Sequence, residues 1–143
     1  MTRYLQLFSR ILSGLVSKAK WFFVVSPEEQ ITRYIYESNK YKTNPRAVHP
    51  RAFLPEARNE TSVCRITKLE NEKIWSIGSK LRGKSVKARA DIPVAKIIEI
   101  RLKVRPAPLD HVRHAVIVGW PKEKHEHMMF ATMIANVATL ELP

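Results

Sequence analysis

The sequence predicts an α+β fold: a small, mostly antiparallel sheet with helices packed on one face, plus an N-terminal amphipathic helix. Three observations lead there. First, Ile98, Ile100, Leu102 and Val104 alternate with Glu99, Arg101, Lys103 and Arg105, and Val86, Ala88, Ala90 and Ile92 alternate with Ser85, Lys87, Arg89 and Asp91. Successive side chains on a strand point to opposite faces, so each run has the pattern of a half-buried strand. Second, the elements read in the order helix, helix, strand, helix, strand, strand, strand, helix. Strands outnumber the helices between them, which argues against a doubly wound parallel sheet. Third, 143 residues of ordinary apolar content are enough for one domain with its own core.

Residues 1–25 form a basic amphipathic extension, and residues 26–143 the single α+β domain. In the extension, Tyr4, Leu5, Phe8, Ile11, Leu12, Leu15, Ala19 and Phe22 recur at helical spacing, opposite Gln6, Ser9, Arg10, Ser13, Ser17 and Lys20. Arg10 interrupts the apolar region, against a secretory signal. Ser26, Pro27 and Glu29 then read as a capping box opening a helix to about Glu37, with Ile31, Tyr34 and Ile35 as its stripe. Residues 38–60 form a long basic connection, broken by Pro45, Pro50 and Pro55.

Thr61 to Thr67 is a strand with Ser62, Cys64 and Ile66 on one side. Residues 70–81 are a helix with Ile74, Ile77, Gly78 and Leu81 inward and Gly83 as its stop. The basic strand 85–92 follows, then one helical turn at 93–97, then the strand 98–105, ended by Pro106 and Pro108. His114 to Val118 is apolar on both faces, as a covered central strand is. After Gly119-Trp120-Pro121, residues 122–140 read as a core helix.

From Ser26 onward the chain resembles a group of small uncharacterised bacterial proteins. The resemblance is carried by Arg33-Tyr34-Ile35, Ala52-Phe53-Leu54-Pro55, Ser62-Val63-Cys64-Arg65-Ile66, Ile74-Trp75-Ser76-Ile77-Gly78, Ala88-Arg89-Ala90-Asp91-Ile92, Arg113-His114-Ala115 and Gly119-Trp120-Pro121. It implies that residues 1–25 are an addition to a shared module, and it brings no activity and no site residue.

Lys and Arg total 25 against 13 acids, a formal charge of +12, which attracts polyanions. The lone Cys64 fits a reducing compartment, and the apolar runs fall short of the roughly 20 residues a spanning helix needs, so a cytoplasmic protein is expected. Residues 73–105 hold ten basic groups and two acids. The functional expectation is a non-enzymatic module binding nucleic acid, RNA or a single strand. Its contacts are Lys87, Arg89, Arg101, Lys103 and Arg105 on one sheet face, with Arg46 and Arg51 in the 38–60 loop.

An alternative is a small metal-independent enzyme acting on RNA or a nucleotide, which needs an acid, a base and a cation near the phosphate, with His111, His114 and Arg65 as the candidates. Against it, His114 caps a strand and Arg65 pairs with Asp91 or Glu99. A third is a non-catalytic subunit whose 1–25 helix docks on a partner or a second copy; a membrane surface is its minority variant.

No cofactor or metal is expected. His111 and His114 are three apart, which chelates only in a turn or helix, and His125 and His127 diverge by about 200° on a helix. No glycine-rich phosphate loop is present. Cys64 reads as a small hydrophobe and Trp75 and Trp120 as core anchors, while Arg89 and Asp91 share a strand face.

Overall fold

The structure, a computed structural model, describes residues 2–143, without the side chains of Thr2, Phe8, Leu12, Val16 and Ser17. Phe8, Leu12 and Ser17 of the expected amphipathic pattern therefore lie outside the described side chains.

The chain is α+β. In order come α1 (Thr2–Phe23), β1 (Gln30–Ile35), β2 (Tyr41–Thr43), β3 (Arg46–Val48), β4 (Thr61–Arg65), α2 (Asn71–Arg82), β5 (Ala88–Pro93), α3 (Val94–Glu99), β6 (Lys103–Pro106), β7 (His114–Val118), α4 (Lys124–Val137) and β8 (Thr139–Glu141). Six strands form one sheet in the order β6-β7-β4-β1-β5-β8, every pair antiparallel. β2 and β3 make a separate hairpin inside the 38–60 connection. Short 3₁₀ turns at Ser38–Lys40, Pro50–Phe53 and Ala57–Asn59 fill out the same stretch.

The larger core lies on the sheet face that carries Ile31, Ile35, Val63, Ala90, Ile92, Ala115 and Ile117. Phe53, Val94 and Ile97 of α3, Leu102, and Ala131 and Ile134 of α4 close it. A smaller cluster on the opposite face joins Cys64 and Ile66 to Ile74 and Ile77 of α2, with Tyr34 beside them. The helices thus divide between the two faces, where the sequence reading placed them on one. The alternation in β4 already implied this, since Val63 and Cys64 are both buried and point opposite ways.

Two elements differ from expectation. The helix expected over 26–37 is the turn Ser26–Glu29 followed by β1. Half of the capping box forms: Ser26 N–H donates to Glu29 Oε2 (2.7 Å), but Glu29 N–H donates to the Ser26 backbone carbonyl (3.1 Å), a turn bond, and not to the hydroxyl. The chain then extends, because Gln30–Ile35 is rich in β-branched and aromatic residues and pairs along its full length with β5. Ile31 and Ile35 are four apart, a spacing that puts two residues on one face of a helix and of a strand alike.

The strand expected over 98–105 is the end of α3, a turn, and β6. Arg101 there takes a left-handed conformation (φ 71°) and donates its N–H to the Ile98 carbonyl (2.9 Å). Ile100 and Leu102 are buried and Arg101 and Lys103 exposed, as the alternation implied, but Ile98 is half exposed. The alternation records which side chains the turn turns inward, not an extended backbone. Further along, the last helix ends at Val137 and residues 139–141 become β8.

α2 approaches the sheet closely at Gly78. A Cβ built there would stand 2.5 Å from the Tyr34 ring and 2.8 Å from Val86 Cγ2. Any larger residue would push the helix off the sheet. The helix stops at Gly83, which takes the left-handed conformation (φ 60°) expected of a C-terminal glycine.

Candidate anion-binding cleft

β1 is hydrogen-bonded to β5 over six residues but to β4 only at Ile31↔Arg65 and Thr32↔Cys64. Beyond Thr32 the two strands part, and the Arg33 side chain takes up backbone acceptors there. Its Nη1–H donates to the Ser62 carbonyl (2.9 Å), its Nε–H to the Ala52 carbonyl (2.9 Å), and its Nη2–H to Glu56 Oε1 (2.8 Å). The Glu56 carboxyl is held below its usual range, first by that hydrogen bond from Arg33.

The parting opens a cleft of about 620 Å³ between β1, β4, α2 and the turn before β7. Tyr34 and Tyr36 form part of its lining, each donating its hydroxyl to an α2 carbonyl: Tyr34 to Ile74 and Tyr36 to Gly78, both at 2.6 Å. Burial pushes both phenols above their usual range, so both stay protonated donors.

Along α2, Lys73, Ser76, Ile77 and Lys80 line the cleft. Their spacing of i, i+3, i+4 and i+7 is one helix face, and Lys73 and Lys80 stand about 10.5 Å apart along the axis at 1.5 Å per residue. Arg82 follows, its guanidinium 5.2 Å from the Tyr36 ring centre. Arg33 and Lys40 complete the basic lining and are paired with Glu56 and Glu37. Among the described residues, Lys73, Lys80 and Arg82 have no carboxylate within ion-pair distance, and Asp110 is the remaining acid of the lining.

His111 and His114 also line the cleft. His111 Nδ1 accepts from the Arg113 N–H (3.0 Å), which leaves the ring proton of the neutral form on Nε2. Desolvation, helped by Arg113, Lys73 and His114, lowers the His111 pKa and favours that neutral form. His114 is bonded the other way round. Its Nδ1 lies 2.7 Å from the Ala107 carbonyl, which can only accept, so Nδ1 carries the proton and Nε2 is left as the acceptor.

Cys64 lines the cleft too, directly across from His114 in the β4–β7 register. Burial pushes its thiol up, so it stays protonated at neutral pH, against a nucleophilic role.

Arg65 is not in this cleft. It is 1% exposed on the other sheet face, gripping Glu29 through two hydrogen bonds of 2.8 Å. Two further N–H groups donate to the carbonyls of Trp21 and Val24, and the Trp21 ring covers it at 3.8 Å. Arg65 therefore pairs with neither Asp91 nor Glu99, and it cannot serve with His111 and His114.

The expected basic sheet face does not form. β5 and β6 are separated by β1, β4 and β7, about 19 Å at 4.8 Å per strand. Arg89 is 5% exposed, paired with Asp91 (3.1 Å), bonded to Asn71 and covered by Trp75 at 4.8 Å. Its pairing removes it as a phosphate contact and makes Trp75 its lid. Arg105 is exposed and paired with Glu60. Lys87, Arg101, Lys103, Arg46 and Arg51 are exposed, and none of them lines the cleft.

Of the other histidines, His49 Nδ1 accepts from the Arg51 N–H, His127 bonds the Pro121 carbonyl against Trp120, and His125 is exposed. Among the described residues no three His, Cys, Asp or Glu side chains come together as a metal site would require.

What the sequence reading missed is the α2 face. Lys73 and Lys80 were legible as a two-turn repeat on a correctly placed helix. Arg33 and Tyr34 were hidden by the helical reading of 26–37.

Fold and cleft together define an α+β protein with a split antiparallel sheet and a basic cavity at the split. No family model, no curated protein and no solved structure matches the chain.

Proposed function

We propose that the protein binds nucleic acid, RNA or a single strand, and that phosphates occupy the cleft between β1, β4 and α2. The observation that carries this is the set Lys73, Lys80 and Arg82, three cations of the cleft lining without carboxylate partners among the described residues, Arg82 beside Tyr36. These cations are exposed to solvent, and a cleft lined by one sign of charge focuses its field and attracts phosphate more strongly than the same charges on an open surface. The formal charge of +12 supplies long-range steering toward the same kind of ligand.

The test is binding of a labelled single-stranded oligonucleotide over a salt series. Affinity should fall linearly on a log–log plot. Lys73→Glu/Lys80→Glu should weaken binding at least about tenfold and flatten the slope by about 1.4, the share of two phosphate contacts on a single strand. Arg101→Glu/Lys103→Glu, outside the cleft, should bind close to wild type. A salt-independent affinity, or two double variants with equal losses, would remove the cleft from the proposal.

A second reading rests on the two histidines. Their Nδ1 partners set opposite tautomers, so His111 presents an N–H donor and His114 an acceptor on the same lining, the complement an acid–base cleavage of RNA needs. This reading expects the protein to cleave RNA in the presence of chelator, and His114→Ala to lose that cleavage by about 100-fold or more. Equal cleavage by both proteins, or none by either, would leave the histidines as structural groups.

A further inference from the structure

We propose that α1 is a peripheral anchor that lies in the interface of an anionic lipid bilayer, its axis along the surface and its apolar face in the acyl boundary. The helix approaches β6, and among the described side chains its hydrogen bonds to the domain lie near its C-terminal end. There Trp21 covers the buried Arg65, and the Trp21 and Val24 carbonyls accept from the same guanidinium.

Upstream of that clamp the described large apolar side chains are exposed. Tyr4 is 81% exposed, and Leu5, Leu7, Ile11, Leu15 and Phe22 are all largely exposed. Tyr4, Leu5, Leu7 and Ile11 alone line a shallow apolar groove on this face. Leaving such a continuous stripe in water is unfavourable, so the helix needs an occupant for it.

Shape and charge select the occupant. At 100° per residue the apolar positions spread over roughly half the helix circumference, wider than the narrow seam of a coiled-coil partner and suited to a planar apolar boundary. Trp21 falls on the same arc as Arg3 and Arg10, so the clamp turns the opposite, apolar arc away from the domain. Lys20 flanks that arc and Lys18 lies just inside its other margin, between Leu7 and Ile11, and both long side chains can carry their ammonium groups to lipid headgroups.

Residues 1–27 carry Arg3, Arg10, Lys18 and Lys20 and no acid. A second copy would bring four like charges against four on chains of +12 each. Anionic lipid instead neutralises Lys18 and Lys20, the two that lie beside the apolar arc. The helix lies on the bilayer and does not cross it: among the described residues no helix is long and apolar enough to span a membrane.

The experiment uses the full chain with vesicles of phosphatidylcholine alone and of phosphatidylcholine mixed with phosphatidylglycerol, read by cosedimentation. The expected result is binding to the anionic vesicles, with little binding to the neutral ones. Ile11→Asp/Leu15→Asp should lower partitioning at least about tenfold, because it places two charges in the apolar face. Lys18→Glu/Lys20→Glu should lower it roughly fivefold or more per charge removed.

Both variants should melt and bind oligonucleotide as the parent does, so failure here and failure of the cleft reading are told apart. Absence of vesicle binding would overturn the proposal, as would equal binding by Ile11→Asp/Leu15→Asp. Self-association abolished by that variant, without vesicle binding, would assign the face to a second copy and overturn it as well.

Discussion

Arg65→Ala is expected to lower the unfolding free energy by about 3–5 kcal/mol, the largest loss from any single charged residue in the chain. The side chain is 1% exposed and its partner Glu29 is buried as well. Removing the guanidinium strands the Glu29 carboxylate, which keeps only the Ser26 N–H, and leaves the Trp21 and Val24 carbonyls without their donor. Desolvation of an unpaired carboxylate is the dominant cost, since no water can replace two charge-assisted bonds in a closed site.

The contrast that isolates this cause is Arg65→Met/Glu29→Leu, which removes both charges and keeps most of the volume. It should recover much of the loss, because replacing a whole buried pair by apolar groups is far cheaper than breaking it. Urea denaturation of the three proteins reads the difference directly. An Arg65→Ala protein as stable as the parent would mean that the pair is solvated. The same variant should also free the C-terminal end of α1, exposing the Trp21 indole and shifting its fluorescence to the red.

Leu102→Ala is expected to cost about 2–5 kcal/mol, the range for truncating a fully buried leucine. Leu102 is 2% exposed within the main core, and its N–H donates to the Ile97 carbonyl at 3.2 Å, so the turn between α3 and β6 closes over it. Arg101→Glu/Lys103→Glu, on the residues either side, should change stability by no more than about 0.5 kcal/mol, as exposed substitutions usually do.

Thermal melts of the two variants beside the parent check both figures. If the double variant unfolded while Leu102→Ala melted like the parent, the inward and outward sides of this turn would be reversed. The pair also separates stability from binding, because the exposed cations here lie outside the cleft and should matter little to an oligonucleotide.

Residues 98–105 show why burial was legible when the backbone was not. Alternating apolar and charged side chains demand that Ile100 and Leu102 go inward and Arg101 and Lys103 outward, and the fold obeys. A strand satisfies that demand, and so does a helix end followed by a residue at φ 71°. Pattern alone does not separate them. The 26–37 stretch fails in the same way, since Ile31 and Ile35 fit both periods and the Ser26 to Glu29 bonds form around a turn that no helix follows. Where one period is unambiguous the reading largely succeeds: α2 buries Ile74, Ile77 and Gly78 and stops at Gly83, although Leu81, expected inward, is exposed in the last turn, and the apolar run His114–Val118 is a covered strand.

By itself, then, the sequence determined the α+β class, most element positions, the amphipathic character of α1 and the strong positive charge, because these depend on local periodicity and composition. Only the tertiary structure decided which charges are available. It buried Arg65 and Arg89 in ion pairs, set β5 and β6 about 19 Å apart, and parted β1 from β4 so that Lys73, Lys80, His111 and His114 line one cavity. Strand order and the splitting of a sheet arise from contacts between residues distant along the chain, and no short-range pattern of side chains encodes them.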